Sequence, residues 1–393
     1  MREAVSSLNA NLDQIKIVRR TRGGTYGIPI SEVEMYISEL KSKDVSKKHK
    51  QKQIKWIQEF LRILPTTGGD SEPLYVENPE PTYVVSARII EDYLEHLDSL
   101  KGRYGQNLGY KAKMDRISTV RRFLRELGVD DREIIGRLKM LEDELRRKWK
   151  THIAMNPKTV TKEDVDSLFN ALEAAYEDEE IGEEQYCKAL AFLLLLATTG
   201  RRKEEIARAH IEWFDFEANI MKLPHSVTKV GRQLKETEGF EVIPLHPETA
   251  ACLKMYARKF GHLIKANDGY LFAVPTRKAE NPTFWDAMIK KHPRLRVQLR
   301  YSPGTLTPKL LRKFFIQHWY EKNGNELILK KIVGHSPTVV HDLHYARGIR
   351  PEKVIEEYQK VLGKTSFLTK KQRAMVARYL PRKRGKKRRK RRK

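Results

Sequence analysis

The chain has 393 residues, more than one compact core usually holds, so two domains are expected, and a hydrophobic content of 40% is enough to build them. Its 77 Lys and Arg against 51 Asp and Glu leave a formal charge of +26, which points to a polyanionic partner, nucleic acid ahead of an anionic membrane surface. A spanning helix is excluded because the longest apolar stretch, Ala189 to Ala197, falls far short of roughly 20 residues. The opening stretch Met1 to Arg20 lacks the apolar core of a secretory signal. The two cysteines, Cys187 and Cys252, suit a reducing compartment and are too few for a cysteine zinc cluster, so a cytoplasmic location is expected.

Residues 1–30 read as an N-terminal extension. From Ser31 the apolar positions recur at helical spacing: Val33, Ile37 and Leu40; Ile54, Ile57, Leu61 and Leu64; Ile89, Tyr93 and Leu97; Val120, Phe123, Leu124 and Leu127. This predicts a bundle of amphipathic helices over 31–151, interrupted by a turn-rich loop from Pro65 to Tyr83. Its polar faces are basic at Lys41 to Lys55, Tyr110 to Phe123 and Leu145 to Lys150. One such patch is an ordinary solvated helix face; three in one small domain suggest a surface that tracks phosphates.

The periodicity lapses between His152 and Val160, where a proline intervenes and an interdomain linker is expected. A second domain over 152–350 opens on Thr161, a good N-cap, followed by the apolar face Val165, Leu168, Phe169 and Leu172. Strand-like runs follow at Ile211–Phe216, Asn219–Pro224 and Phe240–Leu245, and helical spacing then resumes to about Leu362. The fold class is therefore mainly α with a small antiparallel β-sheet, an α+β domain behind an N-terminal helical one. Residues 351–393 hold C-terminal helices and a basic tail in which Gly385 is the one non-basic residue from Arg382 to Lys393; such a tail is expected to be unstructured alone and drawn to nucleic acid.

Within the second domain, the apolar run ending at Ala197 gives way to Thr199-Gly200-Arg201-Arg202-Lys203-Glu204-Glu205. A lysine then lies in the stretch between two strand-like runs, where Lys229, Lys222 and Lys235 are alternatives, and Lys309-Leu310-Leu311-Arg312, Gly334-His335 and Tyr345 follow. This order resembles the tyrosine recombinase and integrase family. There a Thr-Gly-x-Arg-x-x-Glu segment, a strand-loop lysine, a His-or-Lys-x-x-Arg segment, a Gly-His pair and a nucleophilic tyrosine succeed one another. The match covers roughly Thr161 to Leu362 and places Arg202, not Arg201, at the family's arginine. The first domain is similar to the family's DNA core-binding domain in character only.

The resemblance implies a site-specific DNA recombinase of a mobile element. Tyr345 would attack a DNA phosphorus to give a 3′-phosphotyrosine, and Lys229 would protonate the departing 5′-oxygen. Arg202, Arg312 and His335 would neutralise the phosphate, Lys309 would donate to it, and Glu205 would hold Arg202. No cofactor and no metal are implied, because the bond energy is kept in the covalent intermediate. The partners implied are double-stranded attachment sites and further copies of the chain, as a tetramer on paired sites in the nucleoid. Members exchange a C-terminal element around such a tetramer, so Pro351–Leu362 or Met375–Leu380 is expected to dock on a neighbouring protomer.

Two features depart from the commonest pattern. Lys309 stands where many members carry histidine, as in integrases of archaeal viruses and plasmids, and the His335–Tyr345 spacing is one residue longer than in bacterial members. Each motif alone has an ordinary explanation: Arg201 and Arg202 as helix-end dipole partners, His335 as a turn histidine, and Tyr320, Tyr358 and Tyr379 as rivals to Tyr345. The alternatives for the whole chain are a type IB topoisomerase with the same chemistry, a catalytically inactive DNA-binding protein and an RNA-binding protein.

Overall fold

The computed structural model describes residues 19–20, 24–43, 47–67, 81–101, 105–155, 157–228, 238–272, 284–334 and 348–380. Among the predicted features, Lys229, Lys235, His335, Tyr345 and the basic tail lie outside them. The chain divides into two compact units, Met1–Pro157 and Lys158–Lys393.

The first unit contains β1 (Arg19–Arg20), β2 (Tyr26–Pro29), α1 (Ile30–Ser42), α2 (Lys47–Leu61), β3 (Thr66–Thr67), β4 (Thr82–Val85), α3 (Ala87–Ser99), α4 (Tyr110–Glu126) and α5 (Arg132–Met155). The helices follow the apolar spacing. Ile57, Phe60, Ile90, Tyr93, Val120 and Phe123 meet in one core, where Phe60 and Tyr93 pack edge to face at 5.0 Å. A four-stranded antiparallel sheet in the order β1-β2-β4-β3, with Ile28 opposite Tyr83, is the element that helical spacing did not reveal. Its Ile28 and Val85 are buried against the helices. Asp131 ties sheet to bundle: one carboxylate oxygen accepts the Glu133 N–H at 2.7 Å at the start of α5, the other the Tyr26 hydroxyl at 3.0 Å.

Much of the predicted basic surface of this unit is matched by carboxylates. Lys111 pairs with Asp115, Lys113 with Asp98, Arg116 with Glu59 at 3.0 Å, and Arg121 and Arg146 share the buried Glu142 at 3.0 and 2.7 Å.

The second unit runs α6 (Lys162–Glu177), α7 (Glu183–Thr199), α8 (Lys203–Ile206), β5 (Phe214–Asp215), β6 (Ile220–Pro224), β7 (Phe240–Pro244), α9 (Pro247–Ala266), α10 (Phe284–Lys291), α11 (Pro308–Glu321), α12 (Glu326–Val333), α13 (Pro351–Leu362) and α14 (Lys370–Val376). Thr161 caps α6 as its sequence position predicts, in a reciprocal box with Asp164. Helix α7 is apolar all round and is buried without interruption from Ala189 to Thr199, so it forms the axis of the unit, in contact with α6, α9 and α11. Strands β5, β6 and β7 form an antiparallel sheet in that order, with Met221 opposite Ile243; the first strand-like run is a 3₁₀ turn over Ile211–Trp213 before it becomes β5.

The C-terminal helices close this core. Val354, Tyr358, Val361 and Leu362 of α13 are buried in the core of their own chain, with Phe367 and Val376 beyond them. The Tyr358 hydroxyl donates to the Thr198 carbonyl at 2.7 Å, and Gln372 of α14 donates to the Phe169 carbonyl at 3.0 Å. Buried Glu248 accepts the Phe367 and Leu368 N–H groups at 2.7 and 3.2 Å and the Ser366 hydroxyl at 3.0 Å, fixing the link between the two helices. Periodicity identified the buried faces, and in the single chain the surface that buries them is α7, α9 and their neighbours.

Candidate active site

The site is built around the last turns of α7 and α12. Gly200 ends α7 in the left-handed conformation, φ 59°, where a side chain would be strained, and a Cβ there would run into the ring of Phe315 on α11. The chain can turn sharply at this point only because the residue is glycine. Arg202 immediately caps the short α8. Its backbone N–H donates to one Glu205 oxygen at 3.2 Å and its Nη1 to the other at 2.9 Å, so the spacing of three residues makes Glu205 a clamp on both ends of the arginine.

Arg312 comes from α11, whose Leu311, Phe314 and Phe315 are buried. Its Nη1 donates to the Gly200 carbonyl at 2.8 Å and to the Val333 carbonyl at 2.6 Å. Burial, followed by the neighbouring Arg202 charge, pushes the Arg312 guanidinium down to about 10, with Glu205 opposing and Arg201 adding to the fall; at neutral pH it remains charged. Lys309, one helical turn earlier, is exposed.

Helix α12 begins on Asn325, whose side chain accepts the N–H groups of Leu327 and Ile328, and ends on Gly334, also left-handed at φ 64°. A helix leaves its last carbonyls unpaired and carries a partial negative charge at that end. Here three arginines take three of those carbonyls: Arg201 reaches Lys331 at 3.4 Å, Arg312 reaches Val333 at 2.6 Å and Arg202 reaches Gly334 at 3.2 Å. Segments more than a hundred residues apart in sequence thus converge on the turn that leads directly to His335 in the sequence.

Of the rival residues, Lys222 is exposed on β6, its Nζ 5.9 Å from the ring centre of Phe240. Tyr358 is wholly buried, and burial pushes its phenol far above the ordinary range, so it serves the core. Tyr320 is half exposed on α11. Three residues that carry no motif also join the cluster. Arg201 is fully buried and pairs with Glu241 on β7, while its Nη1 lies 3.9 Å from Glu205. Lys331 donates to the Ile349 carbonyl at 2.6 Å, and burial, opposed by Glu241, lowers its ammonium from the usual lysine range. The available sequence signal was slight: Glu241 is the one acidic residue in the run Phe240–Leu245.

The phage integrase family model matches residues 158–347. Prophage integrase IntF of Escherichia coli (strain K12) is 26% identical over 178 residues, covering 43% of this chain and 32% of that protein, so the match spans about a third of the curated relative's length. Among solved structures, XerA recombinase aligns at 15% identity and a TM-score of 0.34, over 85% of this chain and 99% of that one. A lambda integrase(75-356) dimer bound to a COC′ core site aligns at 14% identity and a TM-score of 0.39, over 82% and 96%. The similarity to the phage integrase family thus lies within the second unit of the chain.

Proposed function

We propose that the chain is a site-specific DNA recombinase, an integrase that cleaves and rejoins strands of duplex DNA through a 3′-phosphotyrosine. The observation that carries this reading is the meeting of Arg202 and Arg312 at the last turn of α12, each with one amino group fixed on a backbone carbonyl. Two anchored guanidiniums side by side repel each other, and a phosphodiester is the ligand that relieves the repulsion. Their planar forks suit the non-bridging oxygens, which must be neutralised as charge builds on phosphorus.

Tyr345 forms the oxygen–phosphorus bond as the bond to the 5′-oxygen breaks. The phenol gives up its proton to solvent water and the departing 5′-oxygen takes one from Lys229, so the step balances without a nucleotide cofactor. His335 and Lys309 add donors to the phosphate, and Glu205 holds Arg202. The partners are double-stranded attachment sites, and the assembly is a tetramer on paired sites. Lys309 in place of histidine supports an origin in an archaeal virus or plasmid. The basic first unit supports the core-binding role, with 31–151 as its helical part, and the tail from Arg382 adds charge for nucleoid DNA. No helix among the described residues is long and apolar enough to cross a membrane.

The test is covalent trapping on a nicked duplex of the sequence that the protein selects from a random pool. A protein–DNA adduct on a denaturing gel that is lost in Tyr345→Phe is the expected result. Wild-type protein that binds the duplex and forms no adduct would leave a binding protein. Relaxation of supercoiled DNA with no joint products between two duplexes would move the assignment to a type IB topoisomerase.

A further inference from the structure

Arg201 sits beside the proposed clamp and can touch no substrate, because it is 0% exposed. A buried guanidinium loses its hydration, and a buried ion pair is often no more stabilising than apolar side chains of the same volume. The pairing here is incomplete. Nη2 binds Glu241 and the Lys331 carbonyl, Nη1 stands 3.9 Å from Glu205, and Nε and Nη1 have no hydrogen-bond acceptor among the described residues. Gly334 lies so close that a Cβ there would strike Nη1.

What Arg201 does have is position. It touches Glu205, which holds Arg202; it lies against Gly334, whose carbonyl accepts from Arg202; and it binds the same final turn of α12 that Arg312 grips through Val333. Through Glu241 it also joins this turn to β7.

We infer that Arg201 is a positioning residue: its buried fork locks the α12 turn and Glu205 together, so that Arg202 and Arg312 present their remaining N–H groups to one phosphate in a fixed geometry. The inference rests on the recombinase reading. It differs from a stability role, since a residue needed only for folding would slow the reaction of a charged and an uncharged phosphate alike. It also differs from a simple charge contribution, since lysine keeps the charge and loses the fork.

The experiment compares full-length wild type, Arg201→Met and Arg201→Lys in single-turnover adduct formation on the nicked duplex selected by the wild-type protein. The substitutions are expected to slow adduct formation about 10²-fold, the scale of a small misplacement of catalytic groups, with DNA affinity within about threefold; Arg201→Met, which strips Glu241 of its partner, is expected to melt lower than wild type, and Arg201→Lys, which keeps the charge, less so. On the same duplex with a methylphosphonate at the scissile position, which has no charge to neutralise, the loss should shrink to about threefold or less.

Full activity in Arg201→Lys would overturn the inference in favour of charge alone. An equal loss on phosphate and methylphosphonate would overturn it in favour of general damage to the fold. Should Arg201→Met fail to fold, Glu241→Gln, which loosens the same fork from its outer end, is expected to show the same substrate-dependent loss at smaller size. Absence of a wild-type adduct would count against the recombinase reading, whereas a normal wild-type adduct with unchanged variants would count against Arg201 alone.

Discussion

Arg312 is held at two backbone points among the described residues of the proposed site. One amino group bridges the Gly200 and Val333 carbonyls, so the residue serves two backbone turns at once and, on the proposed reading, a phosphate as well. Lysine cannot reproduce that fork. Arg312→Lys should therefore lower the single-turnover rate of adduct formation by about 10²–10³-fold, the usual cost of one lost oxyanion donor, while gel-shift affinity changes little. Gly334→Ala forces a side chain into a left-handed turn and against Arg201. The strain alone is about 1–2 kcal/mol, measurable as a lower urea midpoint. At this scale the sequence was informative where motif spacing encodes a bond, as in Arg202 with Glu205. It was silent about Arg201 with Glu241, because a contact between residues forty positions apart leaves no periodic trace. Lys229 stayed among alternatives for a related reason: the stretch between β6 and β7 has no pattern that fixes its register.

Among the elements, the helices and the sheet of the second unit were legible, and the short strands of the first unit were not. The spacing of Ile89, Tyr93 and Leu97 predicts α3 without help. The sheet of the first unit pairs two- and four-residue strands, with β2 and β4 separated by two helices, and only the paired backbone reveals it. For α13 the buried face was readable and its partner was not. Tyr358→Phe removes one buried hydrogen bond to Thr198 and is expected to cost about 1 kcal/mol in chemical denaturation, leaving an unpaired carbonyl at the end of α7.

The turn into α9 carries a pH effect of its own. His246, the N-cap of that helix, is held below the ordinary 6.5 by burial, against the opposing charge of Glu248, and His318 is lowered in the same direction by burial. As pH falls below 6.5, the unfolded chain takes up protons that the folded chain refuses, so stability is present above that value and declines below it. Melting temperatures measured from about pH 8 to about pH 5 should fall toward the acid end, and His246→Asn, which keeps an acceptor for the Glu248 N–H, should flatten the decline.

For the whole molecule, the count of 77 Lys and Arg overstates the cation free for the proposed DNA partner, since Lys111, Lys113, Arg116, Arg121 and Arg146 already face carboxylates. Each phosphate contact adds about 0.9 to the slope of log affinity against log salt. The slope for full-length protein on duplex DNA should accordingly be steep, and the pairs predict that Asp98→Asn and Glu59→Gln, which release Lys113 and Arg116, make it steeper. A slope unchanged by both would mean that this face lies away from the duplex.

The closure of α13 and α14 over α7 also bears on mass action. A fold that borrowed its last helices from a neighbour would gain stability with every rise in protein concentration, and dilution would unravel it. Here Tyr358, Val361, Phe367 and Val376 are covered by the chain that carries them. The melting temperature of the free protein should therefore not change over a hundredfold dilution, and on the proposed reading assembly on DNA begins from dilute, already folded copies whose meeting is timed by the duplex they share.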